Sequence, residues 1–289
     1  MIKCSKASKY RVVFVFLFLI YLLFCQSCAR MRMNVHDTKA FFKTTNSHFL
    51  DSTVFVDGSK IHYIQTGNLN QATLFFVHGS PGSWDAFKMY LQDSLLQQHF
   101  RMIAIDRPGF GYSNFGNSKN LFEQAHDIEA MIMSVQNGKN SYLIGHSYGG
   151  PIVVKMAVDK PNYFSGIVVL AGAVDPEAEN PEKWRLFFKA KPFRYIVPGA
   201  LRPANDELWW LKEDLKILKP TLNKIKTNVT IIHGTKDNLV PYSNVGFMQQ
   251  QFVNAKSIDV VSIKDADHFI PWSHFELIRN KLLTLQDYM

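Results

Sequence analysis

Residues 141–158 read SYLIGHSYGGPIVVKMAV, and this stretch constrains the fold more than any other. Ser141–Ile144 is a short apolar run of strand type, and Pro151–Val158 has a helical pattern. Between them Gly145-His146-Ser147-Tyr148-Gly149, followed by Gly150, leaves room only for a sharp strand-to-helix turn. The turn is too tight for side chains two positions either side of the serine, which is where the glycines stand. The geometry lifts the Ser147 hydroxyl above a strand end and places a helix N-terminus beneath it. Amides there can stabilise negative charge.

The rest of the chain supplies the sheet and helices that such a junction needs. Thr53–Val56 and Ile61–Ile64 flank Asp57-Gly58, a hairpin signal. Thr73–Val77, TLFFV, is the continuous apolar run of a strand buried on both faces. Strands follow at Met102–Ile105, Gly166–Leu170, Val229–Ile232 and Ile258–Ile263, with helices over Trp84–Gln97 and Leu121–Val135. Phe275, Ile278, Leu282 and Leu285 form an apolar stripe on a last helix. Strand–helix alternation of this kind predicts an α/β fold with a mostly parallel sheet, an antiparallel edge hairpin and helices on both faces.

A serine hydroxyl needs a base to take its proton, and the base needs an acid to orient it. On a strand–elbow–helix scaffold the chain order is serine, acid, histidine. His233, His268 and His274 follow the elbow. His268, in DADHF between the last strand and the last helix, is the expected base. His233, ending a strand before a glycine, reads as structural, and His274 lies in a first helical turn. Asp237, in IIHGTKD at a strand's carboxyl end, is the expected acid, with Asp175 as competitor; Asp265 and Asp267 read as loop or cap residues. Two amides should meet the developing charge. Tyr148 N–H follows the nucleophile, and Ser80 N–H lies in the loop HGSPGSW after TLFFV. The segment DRPGFGYS, 106–113, reads as a structural loop beneath the site.

HGSPGSW, DRPGFGYS, GHSYGG, HGTKDNLVP and DADHF stand in the order found in the α/β-hydrolase family, and the chain resembles that family over about residues 50–289. It is most similar to the subgroup of esterases, C–C hydrolases and epoxide-hydrolase-like proteins. Relatives that open epoxides or remove halogen carry aspartate as nucleophile. Ser147 stands there in this chain, so the resemblance implies acyl transfer to water: a carboxylic ester of a small or apolar acyl group, with C–C or amide cleavage as the alternative. It implies a small-molecule substrate and no cofactor. No H-E-x-x-H zinc motif and no phosphate-binding glycine loop occurs.

Residues 175–226 break the alternation with six prolines and an aromatic-rich sequence, and helical stretches are expected around 181–190 and 206–217. The segment is expected to be a small helical lid between core portions 51–174 and 227–289.

The formal charge of +8 suggests an anionic partner until it is mapped. Lys3, Lys6, Lys9, Arg11, Arg30 and Arg32 lie in the first 32 residues with no acid among them, so 26 basic residues face 24 acidic ones in the remainder. The nearly neutral body gives no reason to expect nucleic acid. All three cysteines, Cys4, Cys25 and Cys28, also lie near the N-terminus. Val12–Phe24 is a charge-free apolar run spanning roughly 20 Å as a helix, short of the roughly 30 Å bilayer core. A basic flank, a short apolar run and then Ser27-Cys28 read as an export leader over 1–28, followed by a linker over 29–50. Ser27-Cys28 resembles a bacterial lipobox, although Cys25 stands where that pattern usually has leucine. Cys28 would then carry lipid and hold the protein in the cell envelope; an uncleaved anchor is the alternative. A Cys25–Cys28 redox pair lacks its βα context. Haem attachment would need histidine at 29, where alanine stands.

Overall fold

A computed structural model describes residues 6–27, 29–45 and 47–288. Cys28, the expected lipid attachment point, lies outside them.

The described strands form one sheet. They are β1 (Leu50–Val56), β2 (Ser59–Gly67), β3 (Thr73–Val77), β4 (Arg101–Ile105), β5 (Ser141–His146), β6 (Gly166–Leu170), β7 (Asn228–Gly234) and β8 (Ser257–Ile263). Their spatial order is β1-β2-β4-β3-β5-β6-β7-β8. β1 pairs antiparallel with β2, and β2 antiparallel with β4; every other pairing is parallel. This is the α/β-hydrolase fold, with the expected antiparallel hairpin at one edge.

β3 shows why the apolar runs become central strands. All five residues are buried, and alternate side chains enter opposite cores. Phe75 and Val77 pack under α5 (Leu121–Val135) and α6 (Gly149–Asp159). Leu74 and Phe76 pack with Trp84, Tyr90 and the Ile278–Leu282 stripe of α11 (Phe275–Leu283). Period-2 alternation within a continuous apolar run thus covers both faces.

Two expectations are corrected. Trp84–Gln97 is not one helix. A 3₁₀ turn at Trp84–Phe87 and α3 (Lys88–Gln92) end at Asp93, whose side chain accepts from Leu96 N at 2.9 Å and so starts α4 (Ser94–His99). Residues 29–50, expected as a linker, contain α2 (Val35–Thr44). Asn34 caps it through Asp37 N, and Phe42 is buried, stacked 4.5 Å from Phe49 and 6.0 Å from Trp84.

The segment between β6 and β7 is helical, with α7 (Trp184–Lys189), a 3₁₀ turn at Phe193–Ile196, and α8 (Leu201–Leu218). At the N-terminus α1 (Lys6–Ser27) rests one end on this segment. Tyr21 hydroxyl donates to Ile196 O at 2.8 Å, Gly199 N to Cys25 O at 2.9 Å and Ala200 N to Ala29 O at 2.7 Å. Among the described residues no helix is long and apolar enough to cross a membrane.

Candidate active site

The loops that follow β3, β5, β7 and β8 meet over the carboxyl ends of the parallel strands, where open α/β sheets gather their functional groups. Ser147 sits in the turn from β5 to α6 with φ +54°. A non-glycine residue is strained there, and the surroundings hold it. Ser147 N donates to Leu170 O at 3.0 Å, while Ser147 O accepts from Gly150 N at 2.9 Å. Steric room explains the flanking glycines. A Cβ at Gly145 would lie 2.2 Å from Gly149 O, and one at Gly149 would lie 2.2 Å from Val77 O.

His268 and Asp237 meet although 31 positions separate them. His268 Nδ1 donates to Asp237 Oδ2 at 2.7 Å, with both residues buried. Asp237 Oδ1 accepts from Leu239 N at 2.9 Å and Val240 N at 2.8 Å, which fixes the carboxylate plane. Burial opposes its charge. Hydrogen bonds from His233, His268 and the Val240 amide outweigh that and hold the carboxyl well below the usual carboxylate range. Asp175 instead turns its carboxylate to Glu177 N at 2.9 Å. Asp265 pairs with Lys236 at 3.0 Å, and Asp267 accepts from Phe269 N at 2.9 Å, as loop residues do.

The loop after β3 lies against Ser147: a Cβ at Gly79 would be 2.9 Å from Ser147 Cβ. Gly79 O accepts from His78 Nδ1 at 2.7 Å and from Arg107 Nη2 at 2.9 Å. The Gly79–Ser80 peptide is trans, so Ser80 N–H points away from those two donors. Arg107 is itself held by Glu207 of α8, at 2.7 Å from Nη1 and 2.8 Å from Nη2, and its guanidinium lies 4.8 Å from the centre of the Tyr148 ring. Burial, with the Arg107 charge nearby, holds His78 well below the usual imidazole range. It is therefore neutral, its Nδ1 donating to Gly79 O and its Nε2 accepting from Arg107 N at 3.0 Å.

The loop 106–113 supports this arrangement from beneath. Asp106 accepts from Trp84 N, Tyr112 N and His62 Nδ1, each within 2.8 Å. Gly111, at φ +51°, has no room for a Cβ, which would fall 2.0 Å from the Asp106 carboxyl carbon.

Ser147, His268, Ser80 and Tyr148 line one cavity of about 710 Å³, shared with Glu179, Arg185, Leu208 and Leu211 from the 175–226 segment.

Three histidines lie deeper in the site than their sequence contexts suggest. His146, inside the elbow, lies 4.9 Å from the His268 ring and donates through Nε2 to His268 O at 3.2 Å. Burial, then the neighbouring His268, lowers it to about 3, so it is neutral. His233 donates to Val240 O at 3.0 Å and brings Nε2 to 3.4 Å from Asp237 Oδ2. His78 fixes the Gly79 carbonyl. The signal available for all three was position: each ends or immediately follows a strand whose next residues form the site. Among the described residues no cluster of three His, Cys, Asp or Glu is arranged to hold a metal ion.

The chain is similar to the α/β-hydrolase family and is a hydrolase of this fold. The family's sequence model, described as the α/β hydrolase fold, matches residues 72–195. The chain is 27% identical over 273 residues to a bifunctional esterase/perhydrolase of Acinetobacter calcoaceticus, spanning 78% of this chain and 96% of that protein. It is also 27% identical over 135 residues to a 2-hydroxy-6-oxononadienedioate/2-hydroxy-6-oxononatrienedioate hydrolase of Pseudomonas sp, over 46% of this chain and 47% of that one. Among solved structures, a bacterial membrane phospholipase A superposes with a TM-score of 0.67 at 18% identity, over 98% of both chains, a likeness of fold.

Proposed function

We propose that this chain is a serine hydrolase that cleaves a carboxylic ester. The observation that carries the reading is that Ser147, held at positive φ on the elbow, and His268, hydrogen-bonded to buried Asp237, line one cavity. His268, oriented by Asp237, takes the Ser147 proton as the hydroxyl attacks the ester carbonyl. The oxyanion rests on Ser80 N–H and Tyr148 N–H. His268 returns the proton to the leaving alcohol, and water releases the acyl-enzyme by the same path. The esterase/perhydrolase relative supports an ester substrate. The C–C hydrolase relative supports the alternative of a C–C bond cleaved by the same residues.

The test is labelling by a fluorophosphonate together with a substrate panel. Wild type should be labelled and should turn over acyl esters faster than prolyl amides or vinylogous diketones. Ser147→Ala should lose both labelling and turnover; a labelled Ser147→Ala protein would remove Ser147 as nucleophile.

We also propose that the protein is exported and held at the cell envelope, through lipid on Cys28 or through an uncleaved leader. The basic, apolar and Ser27-Cys28 succession supports it. Mass spectrometry of the mature N-terminus tests it. A lipid-modified Cys28 or an intact leader supports the reading, and an unmodified terminus beyond residue 28 overturns it.

A further inference from the structure

The six residues of α7, Trp184–Lys189, include four large apolar ones and none is buried. Trp184 is 52% exposed and Phe187 50% exposed, whereas the core aromatics Phe75 and Phe76 are at 0%. Ring contacts make the exposed aromatics one surface. Trp184 lies 5.9 Å from Phe188, Phe188 lies 5.2 Å from Phe187, and Phe187 stacks 3.9 Å from Phe193. A contiguous exposed aromatic patch of this kind marks an interaction surface.

Charge says which partner. Residues 183–202 contain six cations and no acidic residue; Arg185 pairs with Glu182 and Arg194 with Asp206, and the exposed cations are Lys183 and Lys191. Aromatic and apolar side chains interleaved with cations are the chemistry of an anionic bilayer interface, where rings sit at headgroup depth and lysines meet lipid phosphates. The position of the N-terminal segment points the same way. Every residue from Tyr10 to Phe24 except Leu22 is exposed on α1. The chain that leaves this helix is fastened to the same patch, with Cys25 O accepting from Gly199 N and Ala29 O from Ala200 N. Residues 25 and 29, which flank the expected attachment point in sequence, are thus fastened beside residues 199 and 200.

We propose that segment 183–202 is a docking surface for an anionic lipid bilayer. It rests on the envelope-anchored reading for where the bilayer lies. Trp184 and Phe187 enter the headgroup region while Lys183 and Lys191 meet lipid phosphates. Arg185, in the same short helix, lines the cavity that holds Ser147. Docking therefore sets the roof of the cavity against lipid, and it selects amphiphilic esters that partition into membranes.

The test uses the full chain added to vesicles of neutral phosphatidylcholine, or of phosphatidylcholine with phosphatidylglycerol, each carrying brominated acyl chains that quench tryptophan on contact. The wild-type minus Trp184→Phe difference isolates Trp184 from the other four tryptophans. The expected result is quenching of Trp184 on anionic vesicles that falls by more than about half in Lys183→Glu/Lys191→Glu and at high salt. Equal quenching in wild type and Trp184→Phe overturns the proposal, because Trp184 would then make no contact with lipid. Equal quenching of Trp184 on neutral and anionic vesicles overturns it as well. Hydrolysis of a water-soluble ester without vesicles is followed in parallel and should be unchanged in these variants. Loss of that activity in wild type would refute the esterase reading, and an unmodified N-terminus the anchor, each independently of the quenching result.

Discussion

Arg107 and Glu207, 100 positions apart, form a two-point ion pair with side chains 0% and 1% exposed. One partner belongs to the loop after β4 and the other to helix α8 above the cavity. The same guanidinium that Glu207 holds also donates to Gly79 O, on the peptide whose N–H is the proposed oxyanion donor. The pair therefore joins the position of α8 to the geometry of that peptide beside Ser147. Glu207→Ala leaves a buried cation unpaired and should cost about 3–5 kcal/mol of stability, read by denaturant unfolding. Arg107→Met/Glu207→Met removes both charges and should regain most of that stability. Its kcat should stay about 10- to 100-fold below wild type with KM little changed, because the Gly79 carbonyl has lost one of its two donors. A double variant with wild-type kcat would show that His78 alone orients the peptide.

The Asp237–His268 contact yields a second prediction. Asp237→Asn keeps the volume but offers an amide that can also donate, so His268 can adopt the wrong tautomer. The expected loss in kcat is about 10³- to 10⁴-fold, with fluorophosphonate labelling slowed in parallel and unfolding little changed. Asp175→Asn should leave kcat within about twofold, since that carboxylate caps a local turn. A reversed ranking of the two variants would reassign the acid.

These two sets of residues differ in how far they could be read in the sequence. Ser147, Asp237 and His268 each follow an apolar strand within a few positions, so local pattern places each at the same sheet edge. The glycines around Ser147 carry the elbow, and the 2.2 Å approaches show why no other residue fits. Arg107 and Glu207 have no such signal. Arg107 lies in a loop rich in turn residues, and Glu207 on a helix whose sequence is charged throughout; only tertiary packing brings them together. The break at Asp93 was hidden for another reason. Trp84–Gln97 has an unbroken helical composition, and the restart depends on one side chain reaching Leu96 N. His233 read as structural. It is buried, but its Nε2 lies close enough to Asp237 to stabilise the ionised carboxylate.

His62 sets a pH dependence of stability. Its Nδ1 donates to Asp106 at 2.7 Å and its Nε2 to Asp51 at 2.9 Å, so both ring nitrogens carry protons. Burial disfavours the charge, but Asp106 and then Asp51 outweigh it, and the folded-state pKa is raised. The unfolded value is about 6.5. The contribution is therefore fully present below about pH 6.5 and is lost as pH rises through the raised folded value. Wild type should be more stable than His62→Gln at pH 6, and the gap should narrow by pH 9. A gap independent of pH would mean that His62 is neutral in the folded protein.

Glu179 should make substrate binding pH-dependent. It lines the same cavity as Ser147, and burial raises its carboxyl to about 7; Lys212 and Arg185 lower it, and Asp175 raises it. Below that value the side chain is neutral, and an apolar acyl group can be placed beside it at little cost. Above it the carboxylate must give up water to admit the same group, which is unfavourable without a new partner. KM for an uncharged apolar ester should therefore rise between pH 6 and pH 8 in wild type. Glu179→Gln stays neutral and should hold KM nearly constant over that range, with kcat close to wild type because the residue touches neither Ser147 nor His268 in the proposed chemistry. An ester carrying a cationic group should show the opposite trend in wild type, binding more tightly as the carboxylate forms. A KM that rises equally in both proteins would place the titrating group elsewhere in the cavity.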